Sequence, residues 1–240
     1  MTLDLGLAID PAQAPALAQA LAAHGRSRIP GALAPATAEA LYAELASSSE
    51  WTRTSRQGPT ERVLSAHDLA TMGEVPLRAL QQFAHAGPED GFRFLHDAIR
   101  IPPEPEARQA RGMLLDRVWE ALNAEPSLEL FRIIAGDRDI TRLYIDATRY
   151  LSGHFLTRHN DGRKFGQRVL AFVLNLSPRW HADWGGLLQF HDDAGDIEQA
   201  LTPAFNTLNL FTIPRWHSVS MVAPFAPIPR ISLAGWLYRD

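Results

Sequence analysis

Three His-x-Asp triplets punctuate the second half of this chain: His159-Asn160-Asp161, His181-Ala182-Asp183 and His191-Asp192-Asp193. Along a strand, residues i and i+2 point to the same face, so such a triplet can aim an imidazole and a carboxylate at one point. One more histidine from a neighbouring strand would complete a two-histidine, one-carboxylate set, the usual cage for non-haem Fe(II). His-x-Asp is a short pattern that arises by chance, and context must separate the three. The second triplet lies in a turn-rich connection after Pro178 and before Gly185-Gly186, and the third opens an acidic, glycine-containing turn. The first follows a strand-like stretch, residues 153–158, and leaves room for several strands before a later histidine. His159 and Asp161 are therefore the candidate metal ligands, with His217 as the distal partner.

Thirteen residues beyond His217 stand Arg230 and Ser232. At i and i+2 on one strand they can grip a single carboxylate, the arginine through two N–H groups and the hydroxyl as a further donor. Taken singly, His217 reads first as a half-buried histidine at a strand start, and Arg230 can be an ordinary surface arginine. It is the ordered set that argues for a site.

The elements that must position these residues change character midway. In the first half, residues 11–24 and 35–48 carry leucines at helical spacing and begin at prolines. Residues 51–59 are polar and read as loop. Helical periodicity resumes at 75–85 and 91–99, a new helix starts at Pro105 and runs to about Asn123, and a short one covers 127–134 before Gly136. From Asp139 onward, short alternating or continuously apolar runs follow at 140–151, 167–176, 186–190, 197–201, 205–213, 218–222 and 230–238, with turn residues between them. The fold class expected is α+β: a helical region over 1–138 packed on an antiparallel sandwich or barrel over 139–240, together one structural unit.

Composition removes several chemistries. The chain has 240 residues, nine histidines and no cysteine, so zinc fingers, iron–sulfur clusters and thiol nucleophiles are excluded and any metal must sit on nitrogen and oxygen. A single lysine, Lys164, argues against Schiff-base chemistry. A net charge of −4 argues against a sequence-independent grip on nucleic acid. No apolar run is long enough to span a membrane. The first ten residues have no basic region and include Asp4 and Asp10, so no signal peptide is expected and a cytoplasmic location is the default.

The motifs over residues 148–238 resemble those of the Fe(II)/2-oxoglutarate-dependent dioxygenases, in the branch typified by prolyl hydroxylases. The resemblance rests on His159-x-Asp161, Trp184-Gly185-Gly186-Leu187-Leu188, residues 206–211, His217-Ser218-Val219 and Arg230-x-Ser232-x-x-Gly235-Trp236. It implies a double-stranded β-helix, a jelly-roll barrel flanked by the N-terminal helices. It further implies that His159, Asp161 and His217 ligate Fe(II), that Arg230 anchors the distal carboxylate of 2-oxoglutarate with Ser232 as helper, and that Tyr150 either contacts the co-substrate or packs as a core tyrosine. O₂ is the third reactant, with ascorbate as an accessory. The reaction implied is hydroxylation of a C–H bond with release of succinate and CO₂. Asp161 favours hydroxylation, since related halogenases carry a small residue there.

Two features depart from the branch. A tyrosine common on the strand over residues 170–175 is replaced by Ala171-Phe172-Val173, and the spacing from His217 to Arg230 is long and holds Pro224, Pro227 and Pro229. For substrate, a prolyl or other side chain of a protein or peptide is the first expectation and a free amino acid or small metabolite the alternative. Nucleic-acid demethylation and a purely structural metal barrel are weaker readings. Residues 53–61 and 181–184 are candidate substrate loops, with Trp180 and Trp184 either lining the pocket or packing its rim. Oligomeric state is not legible.

Overall fold

In the computed structural model, which describes residues 2–87, 91–162 and 167–239, one antiparallel sheet rolls up on itself and helices cover one outer face. Its central strands are β5 (Ile140–Tyr150), β7 (Arg168–Asn175), β10 (Thr207–Thr212) and β12 (Arg230–Arg239). The opposing wall holds β6 (Phe155–His159), β8 (Leu188–His191), β9 (Ile197–Leu201) and β11 (His217–Val219). The expected strands of the second half are thus present, within a curled double-stranded β-helix.

The first half is less helical than expected. It contributes β1 (Arg26–Pro30), β2 (Thr52–Gln57), β3 (Thr60–Leu64) and β4 (Arg93–Ile99) to the same sheet. Among the described residues the order is β1-β10-β7-β12-β5-β4-β6-β11-β8-β9, with the β2–β3 hairpin joined to β4. Residues 91–99, expected as helix, instead hold β4, which links the two walls: β2 pairs along one edge, while the other edge pairs with β6 at Phe94–Leu95 and with β5 at Asp97–Ile99. Residues 51–59, expected as loop, and the candidate substrate loop 53–61 fall instead in the β2–β3 hairpin.

The helices are α1 (Ala14–His24), α2 (Pro35–Ser47), α3 (Ala66–Thr71), α4 (Glu74–His85), α5 (Pro105–Arg111), α6 (Leu114–Leu122) and α7 (Glu125–Ala135). The single helix expected from Pro105 is two, because Gly112 closes α5 in a left-handed conformation. The main core lies between α1, α2, α6 and α7 and the outer face of the central strands. It includes Leu41, Leu45, Leu115, Val118, Phe131, Phe172, Leu210 and Leu233, all fully buried. With one face of the central strands committed to this core, the other face is left for the cavity.

Candidate metal centre and co-substrate site

β12 shows how the sheet divides its labour. Ile231, Leu233 and Leu237 enter the core, while Arg230, Ser232, Ala234 and Trp236 face a cavity of about 180 Å³ inside the roll. This is the period-two alternation of a strand with both faces in use. Leu188 and Val219 line the cavity from the opposing wall, and Phe211 lines it from β10.

His159 and His217 meet there because β6 and β11 are paired, with the two histidines directly opposite in register. Their rings lie 4.0 Å apart between centroids. Asp161 lies two residues past the end of β6, at φ 59°. The carboxylate is thus turned back by a left-handed residue, a conformation aspartate tolerates better than most, rather than by the strand pleat expected from the sequence. Asp161 Oδ1 is 3.7 Å from His159 Nε2, and Oδ2 is 3.6 Å from His217 Nε2. One ligand atom from each of the three falls within 4.8 Å of the others.

Both rings are oriented for ligation. His159 Nδ1 is 3.0 Å from the Thr157 carbonyl and His217 Nδ1 is 2.8 Å from the Arg215 carbonyl. A carbonyl only accepts, so each Nδ1 carries the proton and each Nε2 keeps its lone pair for a metal. Burial pushes His217 down to about 3, reinforced by the neighbouring His159, and burial also lowers His159. Both imidazoles are neutral at physiological pH, the form that binds metal. All-nitrogen-and-oxygen donors with a single carboxylate suit Fe(II).

Asp161 has further partners. The Trp236 indole donates to Oδ2 at 2.8 Å, and Arg168 Nη1 is 3.5 Å from Oδ1. The Arg168 guanidinium lies 3.6 Å from the Trp236 ring centroid. Trp236 belongs to the sequence motif, yet its spacing of six from Arg230 was the overlooked signal: even spacing on a strand puts both on the cavity face. His96, outside every sequence motif, also lines the cavity and stacks 5.5 Å from Tyr150.

Arg230 is 2% exposed, and no carboxylate of the described residues pairs with it. Its Nε has no partner, and Nη2 reaches only Asn175 Oδ1 at 3.4 Å. A buried, unpaired guanidinium is costly, and a carboxylate brought by a ligand would relieve that cost. Burial lowers its pKa, opposed by Tyr150, but arginine stays charged. Tyr150 is opposite Arg230 in register, and the guanidinium sits 5.1 Å from its ring centroid. Ser232 is fully buried, with Oγ 2.9 Å from Thr148 Oγ1. Where the branch commonly has a tyrosine, the cavity wall here is Ala171, Phe172 and Val173, and the nearby hydroxyls come from β5 and β12 instead. The long, proline-bearing segment before Arg230 packs Val222 and Ala226 against Tyr150, and at its end Ser177 Oγ donates to the Pro229 carbonyl and accepts from the Ile231 N–H.

The other triplets do not join the site. His181 precedes a short 3₁₀ turn over Ala182–Trp184. His191 instead lies 2.8 Å from Ser218 Oγ. Trp180 and Trp184 pack edge to face at 5.4 Å, the Trp180 indole donates to the Gly185 carbonyl, and neither lines the cavity. Gly185, at φ 66°, lies against the Met221 carbonyl so closely that a side chain could not be accommodated.

Residues 145–238 match the 2OG-Fe(II) oxygenase superfamily, the segment that contains all three ligand candidates and Arg230. Over this segment the chain is similar to the 2OG-Fe(II) oxygenases. The chain is 26% identical over 168 residues to mouse prolyl 3-hydroxylase OGFOD1, an alignment covering 64% of this chain and 28% of that relative. It therefore spans under a third of the relative's length. Two solved structures share the oxygenase fold. A Pseudomonas putida prolyl-4-hydroxylase aligns at TM-score 0.57 and 19% identity over 95% of this chain and 99% of its own. A Trichoplax adhaerens prolyl hydroxylase in complex with a hypoxia inducible factor peptide fragment aligns at TM-score 0.56 and 16% identity, covering 95% and 90%.

Proposed function

We propose that this oxygenase hydroxylates a side chain of a protein or peptide, with proline the first choice. The observation that carries the reading is a buried, unpaired Arg230 in the same cavity as a neutral histidine pair and a carboxylate. In this assignment His159 Nε2, Asp161 and His217 Nε2 hold Fe(II), and Arg230 anchors the distal carboxylate of 2-oxoglutarate with help from Ser232 and Tyr150. Together with O₂, those groups supply the oxidising power, with decarboxylation to succinate and CO₂ coupled to insertion of oxygen into a C–H bond. The chain's own work is to fix the ligands through the Thr157 and Arg215 carbonyls and Trp236. It also shields the site with Leu188, Phe211 and Val219.

A peptide substrate is supported by the prolyl hydroxylase relatives, one of them solved with a peptide, and by a second, wider cavity of about 650 Å³ that shares His159 and Asp161 with the first. The test is succinate formation against matched panels of proline-containing peptides, free amino acids and cell-extract protein. Stimulation by peptides or protein is expected. Stimulation by free amino acids alone would reject the peptide reading.

A further inference from the structure

The wider cavity opens from the metal centre between the β2–β3 hairpin side of the sheet and strands β6 and β7, and its walls carry an unusual charge. Arg56, Arg158 and Arg168 line it, and among the described lining residues the sole acid is Asp161, a metal-ligand candidate. The whole chain is net negative at −4, so this concentration of positive charge is local rather than a reflection of composition.

Each arginine lies over an aromatic ring. The guanidinium carbon is 5.7 Å from the Phe92 centroid for Arg56, 4.0 Å from Trp216 for Arg158, and 3.6 Å from Trp236 for Arg168. Stacking fixes the plane of a guanidinium and leaves an N–H edge for a carboxylate; for Arg168 that carboxylate is Asp161, which leaves Arg56 and Arg158 facing the groove. Arg158 is steadied by the neutral Asp192 carbonyl at 2.9 Å, and its buried Nε has no partner. Arg56 Nε donates to the Gly58 carbonyl at 2.9 Å, with Glu61 3.7 Å away and 40% exposed. Arg158 is oriented by a carbonyl that does not neutralise it, and the Glu61 carboxylate beside Arg56 is solvent-exposed and offsets that charge only in part, so the field in the groove survives. A cleft of one sign between low-dielectric walls attracts the opposite charge.

We propose that this groove recognises an acidic peptide segment, with Asp or Glu side chains flanking the residue presented to the metal, and that Arg56 and Arg158 are specificity-determining residues. The inference rests on the peptide-oxygenase reading above and adds to it the charge of the substrate. A groove of about 650 Å³ is far larger than a single amino acid requires, and Arg56 on β2 and Arg158 on β6, two cations on separate strands, call for more than one carboxylate.

The experiment measures fluorescence anisotropy of dye-labelled, proline-centred peptides with acidic, neutral or basic flanks. The full chain is kept anaerobic with Fe(II) and 2-oxoglutarate, so binding is read without turnover. Acidic peptides should bind about tenfold tighter than neutral ones, with basic peptides weakest and the preference collapsing in high salt. The preference should be lost in Arg56→Gln/Arg158→Gln and partly restored in Arg56→Lys/Arg158→Lys, with folding of each checked by circular dichroism. Equal binding of neutral or basic peptides, or acidic binding unchanged in the glutamine variant, would overturn the proposal. Displacement by free glutamate at the peptide's own concentration would overturn the commitment to a peptide. Failure of the oxygenase reading would show separately, as absence of the Fe(II)–2-oxoglutarate absorption band.

Discussion

Asp161 takes its orientation from two side chains that a ligand motif does not name, Trp236 and Arg168. Partners of this kind hold a ligand's angle, and losing one costs roughly 10- to 100-fold in metal affinity. Trp236→Phe keeps the ring and removes the N–H donor. Its affinity for Fe(II), titrated anaerobically, should fall within that range while the fold melts normally; native affinity would show that the indole does not position Asp161. At this scale much of the site was legible. His159, Asp161, His217, Arg230, Ser232 and Tyr150 were all read from spacing or motif, and all line one cavity. His96 was not legible, since it comes from the N-terminal half through a strand carrying no recognisable motif.

Among the elements, β4 joins the two walls of the roll, and Asp97 at its centre ties it to both neighbours. Asp97 is fully buried and bonded to Arg53 of β2 at 2.7 Å and to Arg149 of β5 at 2.8 Å. Burial pushes its carboxyl up, but the hydrogen bond and charges of the arginines outweigh burial and hold it below the usual range. Breaking a buried pair from one side costs about 3–5 kcal/mol, because the remaining charges are stranded. Asp97→Asn should lower unfolding stability by about that amount in urea titrations; a loss below 1 kcal/mol would show that backbone pairing alone carries the joint. The sequence concealed this strand because Phe92, Phe94, Leu95, Ala98 and Ile99 satisfy helical and strand spacing alike, and its pairing is set by distant residues. The β2–β3 hairpin was hidden for another reason. Arg56, Gln57, Thr60, Glu61 and Arg62 give it no apolar alternation, since β3 is largely exposed.

Across the whole molecule, two buried histidines away from the ligand set make stability depend on pH. Burial lowers His96 to about 4 and His154 to about 3, against an ordinary value of 6.5. The unfolded chain therefore binds more protons below pH 6.5, and stability present above that pH is lost as pH falls toward the folded values. Each histidine contributes a slope of about 1.4 kcal/mol per pH unit in that window. The urea midpoint should fall steadily between pH 6.5 and 5; a flat midpoint would mean that these rings become charged inside the fold. The barrel and its flanking helices could be read from periodicity and punctuation, whereas the entry of β1–β4 into the sheet could not, because their partners lie far away in sequence. Among the described residues no helix is long and apolar enough to cross a membrane, in line with the hydropathy pattern.

The central claim is that one cavity holds Fe(II) on His159, Asp161 and His217 and 2-oxoglutarate against Arg230. The most direct measurement is anaerobic titration of 2-oxoglutarate into the Fe(II)-loaded protein, following the weak visible charge-transfer band of the chelate. The account predicts a saturable band in the native chain and its loss when His159 or Asp161 is replaced. In Arg230→Ala the titration should weaken by about 2–5 kcal/mol, the cost of removing a buried charged partner. No band in the native chain, metal binding intact without His159 or Asp161, or unchanged 2-oxoglutarate affinity in Arg230→Ala would contradict it.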